Sequence, residues 1–181
     1  MRVLAISGSL RAGSYNRALL RAAQELAPEG MRIEDFDLGP LPFYDGDVEA
    51  AGDPEVVVAF RDAIHSADAL LLATPEYNRG TSGVLKNALD WASRPALGSP
   101  LAGKPVALMG ATTGMGGTAR AQAQLRDALG FPRALVLDGH LRVPTAYDKF
   151  DAELRLTDGA TRAAVGDLLL ALRRGALAKA A

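Results

Sequence analysis

The sequence predicts an α/β protein, a three-layer sandwich in which helices cover both faces of one parallel sheet. Three observations predict it. Short apolar runs alternate with longer amphipathic stretches five times along the 181 residues. Most of those runs are dense in Val, Leu and Ile, as suits strands buried on both faces. The connections are short, so successive βα units lay their helices back over the sheet.

The elements follow in order. The first strand spans Arg2–Ser7 and the first helix Asn16–Leu26, where Leu19, Leu20, Ala23 and Leu26 share a face. The second strand is Arg32–Asp37. The second helix, Pro54–Ser66, has Asp53 as its expected N-cap and proline in its first turn. The third strand, Ala69–Thr74, must end where Pro75 fixes its own φ and restricts Thr74. The third helix, Val84–Ser93, carries Val84, Leu85, Ala88, Leu89 and Trp91. A turn-rich link, "SPLAGKP" at Ser99–Pro105, leads to the fourth strand, Pro105–Ala111. The fourth helix is Thr118–Leu129, with Gly130 as its expected stop. The fifth strand is Ala134–Asp138. The last helix, Thr157–Arg173, presents Val165, Leu168, Leu169 and Leu172, and the tail "GALAKAA" is expected to fray.

No repeat, low-complexity tract or linker interrupts this pattern, so one domain over residues 1–181 is expected. Apolar residues make up 49% of the chain, enough for a core, and the formal net charge is −1. That charge argues against a nucleic-acid binder, which shows a basic excess or stripe. No apolar run is long enough to span a membrane, and the N-terminus enters a strand without a secretory pattern. A cytoplasmic location is the expectation. The absence of cysteine removes disulfides, thiolate metal sites and cysteine nucleophiles together. The two histidines, His65 and His140, lie far apart in sequence and suggest no metal site.

In parallel α/β sheets ligands bind beyond the carboxyl ends of the strands, near the switch point. The loops after the first, third and fourth strands are therefore the candidates. The first, Gly8–Tyr15, leads into a helix N-terminus, where amides and dipole favour an anion. Ser9, Ser14 and Asn16 supply neutral hydrogen bonds, and Arg11 a forked cation suited to phosphate. The plainer reading is a βα turn whose Ser14 or Asn16 caps the helix. G-x-x-x-x-G-K-[ST] and G-x-G-x-x-G are both absent from this loop, and no cysteine is present for phosphatase chemistry. Passive binding of a terminal phosphate remains, and a mononucleotide cofactor would suit it.

The second loop is "TPEYNRGTSG", Thr74–Gly83. Free amides in such a turn can hydrogen-bond a flat heteroaromatic ring, and Tyr77 can pack on it. A surface turn with one exposed tyrosine is the alternative. The third loop, "ATTGMGGTA" at Ala111–Ala119, has three threonines and three glycines, of which Thr112 and Thr113 could reach the far edge of such a ring. It also reads as a flexible glycine-rich turn.

With these loops in place, the chain resembles the NADPH-dependent FMN reductase family of flavodoxin-like proteins, which includes bacterial chromate and quinone reductases. The resemblance is carried by "GSLRAGSYNRAL" at Gly8–Leu19, "TPEYN" at Thr74–Asn78 and "GVLKNALDWASRP" at Gly83–Pro95. "LAGKPVAL" at Leu101–Leu108 and "GGTARAQAQLR" at Gly116–Arg126 match more weakly. The resemblance implies a flavodoxin-like five-stranded sheet of order 2-1-3-4-5, bound FMN, and a homodimer or homotetramer. It implies that Ser9, Arg11, Ser14 and Asn16, with Tyr15 in the same loop, hold the FMN phosphate. Pro75, Glu76, Tyr77 and Asn78 would border the isoalloxazine, largely through backbone groups, and Thr112, Thr113 and Gly114 would close the site. The chain departs from the family pattern after "EYN". Arg79 stands where a small residue or histidine is usual, and Ser82 where proline is common. The third loop is also about one residue shorter than the commonest form.

The implied activity is that of an NAD(P)H oxidoreductase. NADPH or NADH passes a hydride to flavin N5, and a small-molecule acceptor (quinone, flavin, azo dye or metal oxyanion) then takes the electrons in a ping-pong cycle. No protein nucleophile and no metal are needed. A flavodoxin-type electron carrier without its own NAD(P)H activity is the alternative, but a net charge of −1 gives little of the charged docking face that carriers use. A phosphate-binding module without redox function is the third reading. Arg79 reads either as a solvated arginine or as a contact for nucleotide phosphates. His65 reads as structural, and His140 as a residue of the loop after the fifth strand. Trp91 reads either as a core anchor or as part of a two-fold contact beside the flavin.

Overall fold

Along the first strand, alternate side chains divide between two apolar clusters: Val3 and Ala5 join one, Leu4 and Ile6 the other. The same alternation runs through Ala69–Ala73 and through Val106–Met109. A strand buried on both faces needs a layer on each side, and the helices supply them.

The computed structural model of the chain describes residues 1–94 and 98–180. Its elements are β1 (Arg2–Ser7), α1 (Tyr15–Glu25), β2 (Arg32–Phe36), α2 (Gly46–Ala51), α3 (Glu55–Ser66), β3 (Ala69–Ala73), α4 (Gly83–Ala92), β4 (Pro105–Ala111), α5 (Ala119–Gly130), β5 (Leu135–Val143), a 3₁₀ turn (Ala146–Asp148) and α6 (Gly159–Ala180). The sheet runs β2-β1-β3-β4-β5 with every pairing parallel, the flavodoxin-like order. Helices α1 and α6 pack on one face, and α3, α4 and α5 on the other.

Several boundaries differ from the sequence reading, each for a local reason. Asp53 does not cap α3. Pro54 occupies the capping position, and Asp53 instead pairs with Arg61. Gly130 does not stop α5 but is its last residue, and the first positive φ comes at Arg133. The fifth strand continues to Val143, so His140 lies within β5, beside Leu108 of β4. Helix α6 continues to Ala180 where fraying was expected. Gly175 lets it lie close to β5, since a Cβ there would sit 2.9 Å from Leu137 Cδ2. Helix α2 escapes the sequence reading because none of its residues is buried, so it has no apolar stripe. Trp91 is a buried anchor within the subunit: it is fully enclosed, donates from Nε1 to the Pro42 carbonyl at 2.9 Å, and meets Tyr44 edge-on at 5.0 Å. Pro95, which ends the longest motif of α4, and Ala181 lie outside the described residues.

Candidate functional site

β2 and β3 flank β1 on opposite sides, so the chain leaves the sheet in diverging directions at the ends of β1 and β3. A crevice opens there by topology alone. Three loops meet at it: residues 8–14 after β1, 74–82 after β3, and 112–118 after β4. They enclose a cleft of ≈ 140 Å³. Ser9, Arg11, Ser14, Tyr15, Asn16, Pro75, Glu76, Tyr77, Thr112 and Thr113 all line it, together with Ala111. Asn78 and Gly114 are the two expected residues that do not. A wider groove of ≈ 550 Å³ adjoins, sharing Ser9, Arg11 and Tyr77 and adding apolar Leu10, Leu41, Phe43 and Val84.

The first loop is pinned at both ends. The Gly8 amide donates to the Ala73 carbonyl at 2.9 Å, and a Cβ on Gly8 would fall 2.8 Å from Ser82 Oγ, so glycine lets this loop lie against the start of α4. Ser14 caps α1: its hydroxyl oxygen accepts from the amides of Asn16 and Arg17 at 3.2 and 3.4 Å, which leaves its proton to donate. The Asn16 side chain is engaged elsewhere. It donates to the Ala111 carbonyl and accepts from the Ala111 amide, both at 2.9 Å, bracketing α1 to the end of β4. Buried Ser9 meets the chain through its backbone, bonded to the Ser7 hydroxyl. Arg11 is exposed, and among the described residues no carboxylate lies within ion-pairing distance of it. The first turn of α1 holds no acidic residue, so its dipole also lacks a counter-charge.

The second loop is a tight hairpin. Tyr77 and Gly80 exchange backbone hydrogen bonds of 3.0 Å each, with Asn78 and Arg79 between them at φ of 50° and 66°. Two central residues at positive φ match the right-handed twist of paired strands. The Glu76 carboxylate accepts from the amides of Arg120 and Ala121 at 3.0 and 3.4 Å, which places it on the N-terminus of α5. Gln124, a turn further along α5, accepts from the Thr81 amide at 2.7 Å. Ser82 caps α4, its hydroxyl accepting from the Leu85 amide at 3.2 Å. Ser82, a departure from the pattern the resemblance implies, thus serves as a side-chain cap. Tyr77 is 55% exposed at the mouth shared by cleft and groove.

The third loop is backed by the chain that follows β5. The Thr112 amide donates to Val143, and the Thr112 and Gly114 carbonyls accept from the amides of Ala146 and Thr145. The region after Asp138, read from the sequence as a loop, is therefore strand and 3₁₀ turn that buttress the site within the same subunit. His140 stands apart from the cleft. Its Nε2 meets the Arg126 guanidinium at 3.1–3.2 Å, and burial, followed by the charges of Arg126 and Arg142, lowers its pKa. His65 sits exposed in the last turn of α3.

Sequence reasoning missed Gln124, the capping role of Ser82 and the Thr145–Ala146 buttress. Gln124 had one available signal: it lies four residues after Arg120, on the same helix face as the amides that Glu76 caps.

The donor set suits a phosphate monoester joined to a flat ring. It offers a forked cation with no internal partner, a capping serine with a proton to give, an uncompensated helix N-terminus, and a tyrosine beside an apolar groove. Comparison with known proteins agrees. Residues 1–148 match the model of the NADPH-dependent FMN reductase family. The chain is 49% identical over 179 residues to an NAD(P)H-dependent FMN reductase of Pseudomonas aeruginosa, covering 96% of this chain and 94% of that one. It is 43% identical over 189 residues to an NAD(P)H:quinone oxidoreductase of Solanum tuberosum, covering 98% and 93%. Among solved structures it is similar to the flavoenzyme NAD(P)H:(acceptor) oxidoreductase FerB of Paracoccus denitrificans, with a TM-score of 0.86, 32% identity, and 96% and 98% coverage.

Proposed function

The chain belongs to the NADPH-dependent FMN reductase family and is an FMN-dependent NAD(P)H oxidoreductase; from that premise we propose how its own residues do this work. FMN, when bound, would supply the redox chemistry by which NAD(P)H reduces a small-molecule acceptor. Arg11, the Ser9 and Ser14 hydroxyls and the amides opening α1 hold the phosphate, with Tyr15 walling the cleft. Asn16 acts through its bracket to Ala111, which fixes the first loop against the third. Pro75 and the Glu76 amide would border the ring on one side and Thr112 and Thr113 on the other, with Tyr77 at its edge, while Asn78 and Gly114 stand outside the cleft lining and would act only by shaping their loops. The adjoining groove admits the nicotinamide and then the acceptor in turn. Its apolar lining of Leu10, Leu41, Phe43 and Val84 favours flat, poorly hydrated acceptors, of which quinones are the natural class.

The single observation that carries this reading is Arg11: a guanidinium without a carboxylate partner among the described residues, in a cleft that ten of the twelve expected residues line. Charge reversal tests it. Arg11→Glu should weaken FMN binding at least ~10-fold, as expected for loss of a charge-assisted contact. Flavin fluorescence quenching on titration of apoprotein reads this, and unchanged affinity would refute the placement. Wild-type enzyme should consume NADPH catalytically when a quinone is present. Bound flavin without such turnover would favour the carrier reading.

The same reading makes residues 1–181 one FMN-binding domain, cytoplasmic, and assembled as a homodimer or homotetramer. Among the described residues no helix is long and apolar enough to cross a membrane. One cooperative thermal transition, and fractionation with soluble protein, are the expected outcomes; two separate transitions would contradict the domain assignment.

A further inference from the structure

Resting on the FMN reading above, we propose that Gln124 and the Glu76 side chain are positioning residues of the flavin site, holding the Tyr77–Gly80 turn from α5. The turn does not hold itself. Arg79 is in the left-handed region, a strained conformation for a non-glycine residue. A hairpin with one pair of cross-strand bonds is marginal in water. A strained conformation persists when its surroundings over-determine it, and such conformations gather at functional sites.

Helix α5 provides those surroundings at both ends of the turn. Before Tyr77, Glu76 seats its carboxylate on the amides of Arg120 and Ala121, a favourable place for an anion. After Gly80, Gln124 takes the Thr81 amide at 2.7 Å. Gln124 Oε1 also lies 2.8 Å from where a Cβ on Gly80 would be, so a side chain at that position would displace the Gln124 carbonyl. Behind the turn, Thr74 and Thr81 join their hydroxyls at 3.1 Å. Tyr77 and the amides on either side of it are thereby set before a ligand arrives. Neither Gln124 nor the Glu76 carboxylate needs to touch the flavin, because both act through this turn. A preset loop loses little freedom when it binds, so its ordering does not weaken affinity. Without the Gln124 anchor, FMN must order the turn itself.

The test uses apoprotein of the wild type, Gln124→Met and Gln124→Glu. Gln124 is exposed, so each variant should fold. Methionine keeps the length of the side chain and removes the acceptor; glutamate keeps an acceptor oxygen. FMN affinity is read by fluorescence quenching, and Thr81 amide exchange by NMR. Gln124→Met should speed Thr81 exchange and weaken FMN binding roughly 3- to 10-fold, the range for one hydrogen bond. It should also alter the visible circular dichroism of the bound flavin, which a change in overall stability would leave alone. Gln124→Glu should restore all three. Wild-type FMN affinity in Gln124→Met would overturn the proposal, and so would equal loss in both variants, since glutamate retains both the bulk and the acceptor oxygen. A wild-type protein that takes up no FMN would instead sink the cofactor reading on which the proposal rests.

Discussion

Removing the Asn16 amide would leave the Ala111 N–H and C=O without partners at a position only 3% exposed. Two stranded buried backbone groups cost about 1–3 kcal/mol each. Asn16→Ala should therefore lower unfolding stability by about 2–5 kcal/mol, read as a fall in urea midpoint with unchanged slope. A loss under about 0.5 kcal/mol would mean the bracket is not maintained in solution. At this scale the sequence is informative about residue types and less so about partners. Ser14 and Arg11 were legible, because a cap and an unpaired cation act through local geometry. Asn16 and Glu76 were legible as members of the site, but their side chains answer to Ala111 and to α5, residues 95 and 44 positions away. No local pattern reveals such a contact.

At the level of elements, the strands at the centre of the sheet were the easiest to read. β3 is buried at every position and β4 likewise, so each shows as an unbroken apolar run. β5 is an edge strand with exposed residues along its length, and beyond Asp138 its "GHLRV" gives no such signal. Helix ends were read least well, because Asp53 and Gly130 fit the rules for cap and stop yet are used otherwise. α4 shows what a true cap contributes. Ser82→Ala should destabilise the protein by about 1 kcal/mol through loss of the bond from the Leu85 amide. It should also loosen the contact between α4 and the Gly8 turn. Denaturant titration checks the first effect, and an unshifted midpoint would show that the cap is dispensable.

For the whole molecule, the feature to explain is an apolar groove open beside the cleft. Phe43 is 87% exposed, Tyr77 55% and Leu10 49%, and all three line it. Large apolar side chains gathered in one exposed patch mark an interaction surface. If a subunit contact covers Phe43 at this groove while leaving a path to the cleft, Phe43→Asp should shift the protein toward monomer in light scattering without unfolding it. A wild type already monomeric at micromolar concentration would dismiss the pairing. The charge, the absence of cysteine and the layered α/β plan were all legible at this scale, since they follow from composition and periodicity. The groove was not, because its walls come from segments after β1, β2 and β3 that only the folded sheet brings together.

Trp91 is the chain's sole indole, enclosed where α4 meets the Pro42 carbonyl. Nature has thus installed one optical reporter at a known seam. Its emission colour tracks the tightness of that junction, and no second chromophore of its kind blurs the signal.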